Sequence, residues 1–167
     1  MASGWVVGLL ALLLARPRPA SLAAGFALAL LGEALRLWAA GHIEKTRTLA
    51  TGGPYAHTRN PLYLGSLLIG LGVAVAAADV RVVLLAAAYF VAFYPAVMRE
   101  EAAFLRQRFA DEYAAWARAV PLFLPRPLPA GPRGSRFRWR RVASNREWRA
   151  AAALPALGAL LYLRGLW

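Results

Sequence analysis

Long runs of alanine, leucine and valine, separated by short segments that carry arginine, make up most of this chain of 167 residues. Sixty per cent of the residues are hydrophobic, against about 45–50% in an average soluble protein. A soluble domain of this size has too little interior to bury so much apolar surface. The composition therefore excludes an ordinary water-soluble fold and predicts an integral membrane protein.

Five of the apolar runs are candidates for transmembrane or membrane-embedded helices. Alanine and leucine favour helix, and none of the runs alternates as a membrane strand would. The second run can cross a hydrocarbon core of about 30 Å, whereas the first and last are short and leave open whether they span it. The runs are Gly4–Ala15, Ser21–Ala40, Pro61–Ala78, Val82–Met98 and Ala150–Leu163. The sequence thus predicts an all-α, polytopic membrane protein.

A short turn at Asp79 separates the third run from the fourth. Because so short a connection joins neighbouring antiparallel helices, the segment before Pro61 and the segment after Met98 should emerge on the same side of the membrane. Beyond Met98, apolar side chains recur with helical spacing as far as Pro121. This pattern predicts a cytosolic amphipathic helix at or beyond the membrane interface.

We expect a single membrane domain over residues 1–167, in three parts. N-terminal helices occupy 1–40, a core occupies 41–125, and a basic linker with a C-terminal hydrophobic helix occupies 126–167. The net charge is +12, and arginine gathers between residues 99 and 149, which marks that side as cytoplasmic. The predicted partner is therefore anionic lipid rather than nucleic acid, most simply in a bacterial-type inner membrane.

Two polar clusters flank the predicted hairpin, one in residues 47–63 and the other in 99–113. Asn60 can cap the helix that Pro61 begins, and the free N–H groups of such a helix start attract anions. Glu101 brings a carboxylate to the same membrane face. These groups suit a zwitterionic ligand that carries a sugar, although anchoring at the interface accounts for the same residues without a ligand.

Charged and metal-binding residue types are few in the apolar part of the chain. Glu33 and Arg36 share one face of the second helix, where they form either an ion pair that fixes packing or part of a substrate path. The chain has no cysteine and only two histidines, His42 and His57. Thiolate and multi-histidine metal sites are therefore not expected, and His57 is either a base or a surface residue.

The sequence Gly-Pro-Tyr-Ala-His-Thr-Arg-Asn-Pro-Leu-Tyr-Leu-Gly at 53–65, followed by Glu100-Glu101 and by Phe-Ala-Asp-Glu-Tyr at 109–113, resembles the isoprenylcysteine carboxyl methyltransferase family. Bacterial membrane methyltransferases similar to phospholipid N-methyltransferases share the pattern. The resemblance covers about half of the chain, from Gly41 to Pro125. It implies a membrane methyltransferase that uses S-adenosylmethionine on the cytoplasmic face. The implied acceptor is lipophilic, either the carboxylate of a prenylcysteine-like molecule or the amine of a lipid headgroup.

The resemblance also implies which residues bind the cofactor and orient the substrate. By position, the cofactor residues are Arg47, Thr48, Leu49, Ala50, Tyr55, Asn60, Pro61, Leu62, Tyr63 and Glu101. Arg59 or Arg99 is the expected catalytic residue, and it would orient the substrate. Asn60 and Arg47 stand where the family has histidines, and Val97 stands where it has a substrate-orienting arginine. The difference at Val97 argues against a prenylcysteine substrate more than it argues against methyl transfer.

Other interpretations remain open at this point. Gly70-Leu71-Gly72 resembles a small-residue signature of phospholipid methyltransferases, but small residues in membrane helices also serve close packing. Sterol reductases resemble the same core, so an NADPH-dependent membrane reductase is one alternative function. A non-catalytic protein that binds anionic lipid through its arginine-rich tail is another.

Overall fold

The computed structural model describes residues 2–44, 47–131, 134 and 136–165, and all the regular secondary structure among them is helical. This confirms the predicted all-α class for the described part of the chain. The helices are α1 (Ala2–Leu14), α2 (Pro19–Ala40), α3 (Pro61–Ala77), α4 (Val80–Ala119), α5 (Trp139–Ser144) and α6 (Trp148–Arg164), with one 3₁₀ turn at Gly53–Ala56.

Two of these helices, α2 and α4, are long and apolar enough to cross a membrane. Helices α3 and α6 have 17 residues each, or about 26 Å at 1.5 Å per residue. Helix α1 has 13 residues, or about 20 Å on the same measure. The expected total of about five membrane helices, and whether α1 and α6 span fully, therefore stay predictions.

The chain divides into two compact units. The apolar unit comprises Met1–Glu33, Ser66–Tyr94 and Arg149–Trp167, and the polar unit comprises Ala34–Gly65 and Pro95–Trp148. The core of the apolar unit is made mainly of alanine, which allows its helices to pack closely. Its buried members are Ala11, Ala15, Ala74, Ala76, Ala77, Val82 and Leu161.

Asp79 forms the predicted turn between α3 and α4. Its Oδ1 atom accepts the backbone N–H of Arg81 at 2.8 Å, and Oδ2 accepts the Arg81 guanidinium at 2.7 Å. The side-chain hydrogen bond from Arg81 is the main cause that lowers the pKa of Asp79 to about 2. Asp79 thus caps the start of α4 as an ionised carboxylate, and this confirms the turn.

Helix α4 differs from the sequence-based expectation. The sequence predicts an apolar helix to Met98 and a separate amphipathic helix after it, but in α4 the first helical segment continues past Met98 without a break as far as Ala110. The residues around Arg99 are good helix formers, so a change of polarity there does not end the helix. The backbone kinks at Ala110, where φ is 33° and ψ is −107°, and a second helical segment runs from there to Ala119. The predicted end before Pro121 is confirmed.

Gly25 of α2 and Gly72 of α3 lie in close contact within the apolar unit. A Cβ atom on Gly72 would lie 2.6 Å from the backbone oxygen of Gly25, whereas a Cβ atom on Gly70 would meet nothing within 4 Å. The two backbones can approach this closely only because both residues lack a side chain. Close packing therefore explains why position 72 is a glycine, but not why position 70 is one.

We expect Gly72→Ala to destabilise the protein by about 1–3 kcal/mol, because backbone atoms would have to move to make room for the methyl group. The matched control, Gly70→Ala, should leave stability unchanged or slightly raised. Thermal unfolding of both variants in the same detergent measures the difference. Equal midpoints for the two variants would contradict the proposed contact.

Candidate active site

The loop before α3 is attached to the segment that follows α4 by a row of hydrogen bonds within the polar unit. Thr58 Oγ1 donates to the carbonyl of Phe123 at 2.8 Å, and the Arg59 backbone N–H donates to that of Pro121 at 2.9 Å. Further along, the N–H of Arg126 donates to the carbonyl of His57 at 3.0 Å. The loop is therefore held at several successive residues.

Asn60 contributes to the same attachment. Its Nδ2 atom donates to the carbonyl of Leu122 at 2.8 Å, and its backbone N–H donates to Thr58 Oγ1 at 3.3 Å. Asn60 is buried, so its side-chain amide needs a partner within the protein, and the carbonyl of Leu122 is that partner. An amide at position 60 thus has a structural use, and its predicted contact with a cofactor stays a prediction.

The last turns of α4 support the loop from a second direction. Trp116 Nε1 donates to the carbonyl of Tyr55 at 2.9 Å, and Arg59 Nη1 donates to the hydroxyl of Tyr113 at 3.1 Å. Trp116 and Tyr113 are buried and pack edge to face. Their rigid rings give the loop a fixed apolar support.

Tyr63, near the start of α3, contacts Glu101 of α4. The tyrosine hydroxyl donates to Glu101 Oε2 at 2.9 Å. This hydrogen bond places the two polar clusters, expected from the sequence to lie on one side of the membrane, in direct contact within the polar unit.

A cavity of about 330 Å³ lies between the loop and α4, at the lower end of the ~300–1,000 Å³ typical of small-molecule sites. Its wall is mostly apolar, with two carboxylates and one guanidinium. The lining residues are Ile43, Glu44, Thr48, Leu49, Ala50, Tyr55, Arg59, Leu62, Glu101, Phe104, Leu105, Phe109 and Trp116.

The ionisable groups of the cavity differ in their protonation state. The hydrogen bond from Arg141 lowers the pKa of Glu44 below its usual value, so this carboxylate is ionised near neutral pH. Burial raises the pKa of the Tyr55 hydroxyl well above its usual range, and the charge of Glu101 acts in the same direction. Tyr55 therefore stays neutral.

Arg59 has an unsatisfied donor. Its Nε atom is buried and has no hydrogen-bond partner in the described part of the chain. Leaving a buried guanidinium N–H without a hydrogen-bond partner costs free energy. An anionic group in the cavity beside Arg59 would satisfy this donor.

The structure brings most of the predicted cofactor residues together. Thr48, Leu49, Ala50, Tyr55, Leu62 and Glu101 line the cavity. Asn60 and Pro61 are buried outside its lining, and Tyr63 reaches the site through Glu101. Arg47 is 78% exposed and pairs with Glu44 at a long 3.4 Å.

The two candidate catalytic arginines are placed differently. Arg59 lines the cavity, whereas Arg99 is exposed on α4 and is not part of the lining. Residues two apart on a helix point about 200° apart, so Arg99 and Glu101 cannot face the same cavity. His57 is also outside the lining, and its Nδ1 atom lies 2.9 Å from the carbonyl of Arg126.

Glu44 is the polar lining residue that sequence reasoning missed. It is the only acidic residue between Glu33 and Asp79. An isolated carboxylate in the loop that leads into the polar cluster was the available signal.

Comparison with known proteins gives both a family and relatives. The family model described as phospholipid methyltransferase matches residues 20–112. The cobalt-zinc-cadmium resistance protein CzcN of Cupriavidus metallidurans is 42% identical over 104 residues, which cover 61% of this chain and 46% of that protein. The nickel-cobalt-cadmium resistance protein NccN of Alcaligenes xylosoxydans is 36% identical over 93 residues, 54% of this chain and 43% of that protein. The chain thus spans less than half the length of these relatives, and no solved structure matches it significantly.

We expect Asn60→Asp to destabilise the protein by about 1–3 kcal/mol, because a carboxylate at this buried position would lose the hydrogen bond to the carbonyl of Leu122. Gln107→Glu, the same change from amide to acid at an exposed position of α4, should have little effect. Thermal unfolding in detergent compares the two variants. A stability loss no larger for Asn60→Asp than for the control would contradict the role assigned to the amide.

Proposed function

The chain belongs to the phospholipid methyltransferase family, and from that membership we propose that it transfers a methyl group from S-adenosylmethionine to a lipophilic acceptor at the membrane. The observation that carries the proposal is the cavity of the polar unit. There the motif loop and Glu101 meet around a space of small-molecule size.

The residues of the cavity fit the chemistry of S-adenosylmethionine, which combines a carboxylate, a sulfonium cation, ribose hydroxyls and an adenine ring. The unpaired Nε atom of Arg59 is suited to the carboxylate. Glu101 can accept from hydroxyls or balance the cation. The adenine ring requires apolar walls, which residues such as Leu62 and Phe104 supply.

When bound, S-adenosylmethionine supplies an electrophilic methyl group on its sulfonium sulfur. The chain's own contribution is to hold cofactor and acceptor in line and to exclude water. Trp116 and Tyr55 help to exclude water from the cavity, because both are buried and a hydrogen bond joins them. Arg59 is the better candidate for orienting a charged group, because Arg99 lies outside the cavity lining.

An amine of a lipid headgroup is the acceptor class that we favour. The matching family is described by its phospholipid substrates. In the reaction, the neutral amine nitrogen forms a bond to the methyl carbon while the carbon–sulfur bond breaks. The electron pair of that bond stays on sulfur. One N–H proton leaves to water in each of the first two transfers to a primary amine, and none leaves in the third.

The names of the two relatives, which refer to resistance to divalent metals, agree with an amine acceptor. A primary amine can bind such ions through its nitrogen lone pair, and a fully methylated nitrogen has no lone pair left. We therefore propose headgroup methylation as the step through which this chain would serve metal resistance.

Titration calorimetry of the purified protein in detergent tests the cofactor assignment. We expect S-adenosylmethionine and S-adenosylhomocysteine to bind, and NADPH not to bind. Binding of NADPH alone would overturn the proposal in favour of a membrane reductase. Transfer of a tritiated methyl group into a total lipid extract, compared with prenylcysteine analogues, then identifies the acceptor.

Glu101→Gln should weaken the binding of S-adenosylhomocysteine by about tenfold or more, as expected when a charged hydrogen-bond acceptor is lost. The neighbouring Glu100 is exposed and does not line the cavity, so Glu100→Gln is the matched control and should bind as the unaltered protein does. Calorimetry measures both affinities. Equal losses for the two variants would remove Glu101 from the site.

Arg59→Lys should slow methyl transfer by about tenfold or more, because lysine keeps the charge but loses the fork of guanidinium donors. Arg99→Lys makes the same change outside the cavity and should leave the rate within about twofold. Single-turnover assays with saturating cofactor compare the variants. A larger loss for Arg99→Lys would reverse the assignment.

A further inference from the structure

Residues 136–147, which we call the strap, pack against the loop that follows α2. The backbone N–H of Arg138 donates to the carbonyl of Gly41 at 2.9 Å. Asn145 Nδ2 donates to the carbonyl of Ala40 at 3.0 Å and lies 3.3 Å from that of Ile43. The strap and this loop both belong to the polar unit.

Two ion pairs fasten the strap. Arg141 Nη2 lies 2.6 Å from Glu44 Oε2, and Arg36 Nη2 lies 2.7 Å from Glu147 Oε2. The Arg141 side chain is only 15% exposed, so water screens this pair less than an ordinary surface pair. The contact fixes Glu44, which would otherwise sit on an irregular loop.

Glu44 lines the same cavity as Glu101 and Arg59. A carboxylate has about four acceptor positions on its two oxygens. Arg141 occupies one of them, and the exposed Arg47 makes only a long contact of 3.4 Å. Glu44 therefore keeps acceptor capacity for a ligand in the cavity.

We propose that Glu44 binds the cofactor as the second carboxylate of the site, and that Arg141 is the positioning residue that holds it at the cavity wall. The inference rests on the proposed use of S-adenosylmethionine. Arg141 lies outside the family match at 20–112, whereas Glu44 lies within it. The strap thus adds to the family's core a support for one cavity residue.

Calorimetry with S-adenosylhomocysteine tests the proposal in the full chain. Glu44→Gln and Arg141→Gln should each raise the dissociation constant by about tenfold. The double variant should bind no more weakly than Glu44→Gln alone, because Arg141 acts through Glu44. Arg141→Lys should restore part of the affinity. The control is Arg140→Gln, an exposed arginine of α5, which should bind normally.

The affinity for 5′-methylthioadenosine, which lacks the amino-acid part of the cofactor, locates the contact. A loss in Glu44→Gln places the carboxylate at the ribose or adenine, whereas no loss, combined with weaker S-adenosylhomocysteine binding, places it at the amino-acid part. Either result supports the proposal.

Two results would overturn it. One is normal S-adenosylhomocysteine affinity in Glu44→Gln, and the other is a lowered unfolding temperature with normal affinity in Arg141→Gln, which would make the ion pair merely structural. If the unaltered protein binds neither S-adenosylmethionine nor S-adenosylhomocysteine, the proposed function fails as well. If the unaltered protein binds the cofactor and only the expected effects of the variants are missing, the proposed function still stands.

Discussion

Three consecutive residues of the motif loop, 58 to 60, donate hydrogen bonds to three consecutive carbonyls at 121–123. These carbonyls follow the end of α4 and have no partner in regular secondary structure, so the loop supplies their donors. Thr58 and Asn60 supply two of these donors from their side chains. The same attachment fixes the backbone of Arg59, so the constraint that satisfies the chain's polar groups also sets the geometry of the cavity.

The cavity combines this polar attachment with an apolar wall. Trp116, which lines the cavity, donates a hydrogen bond to the loop, and Tyr113, which packs against Trp116, accepts one from Arg59. The wall therefore does not depend on apolar contact alone. Within this wall the charges are few and each has a defined setting. Glu101 accepts from Tyr63, and Arg141 holds Glu44. Such a site suits a ligand that combines charges and hydroxyls with an apolar ring.

Local patterns made much of the fold predictable. Hydropathy located the starts of α1, α2, α3, α4 and α6 to within two residues, and Asp79 marked the turn before α4. Hydropathy gave no sign of α5, which lies in the segment predicted as a basic linker. The predicted hairpin placed the motif loop and Glu101 close together, and the hydrogen bond from Tyr63 to Glu101 agrees with this. The unbroken course of α4 past Arg99 was not predictable from hydropathy, since a loss of apolar character does not lower helix propensity.

The remaining parts of the site depend on contacts between distant residues. Arg141 and Glu44 are 97 positions apart, and in a chain with nineteen arginines no pattern indicates which arginine a given carboxylate will meet. The cavity wall is equally hard to predict from the sequence, because the rotation of α4 about its axis decides whether Phe104 and Phe109 face the cavity. A one-residue error in that rotation would turn either ring away.

Ultraviolet crosslinking of the purified protein with tritiated S-adenosylmethionine, followed by peptide mapping, tests most directly whether the cofactor lies in this cavity. We predict label in peptides from residues 43–63 and 98–116, and its loss when excess S-adenosylhomocysteine is present. Label confined to residues 66–94, or label that S-adenosylhomocysteine does not displace, would contradict it.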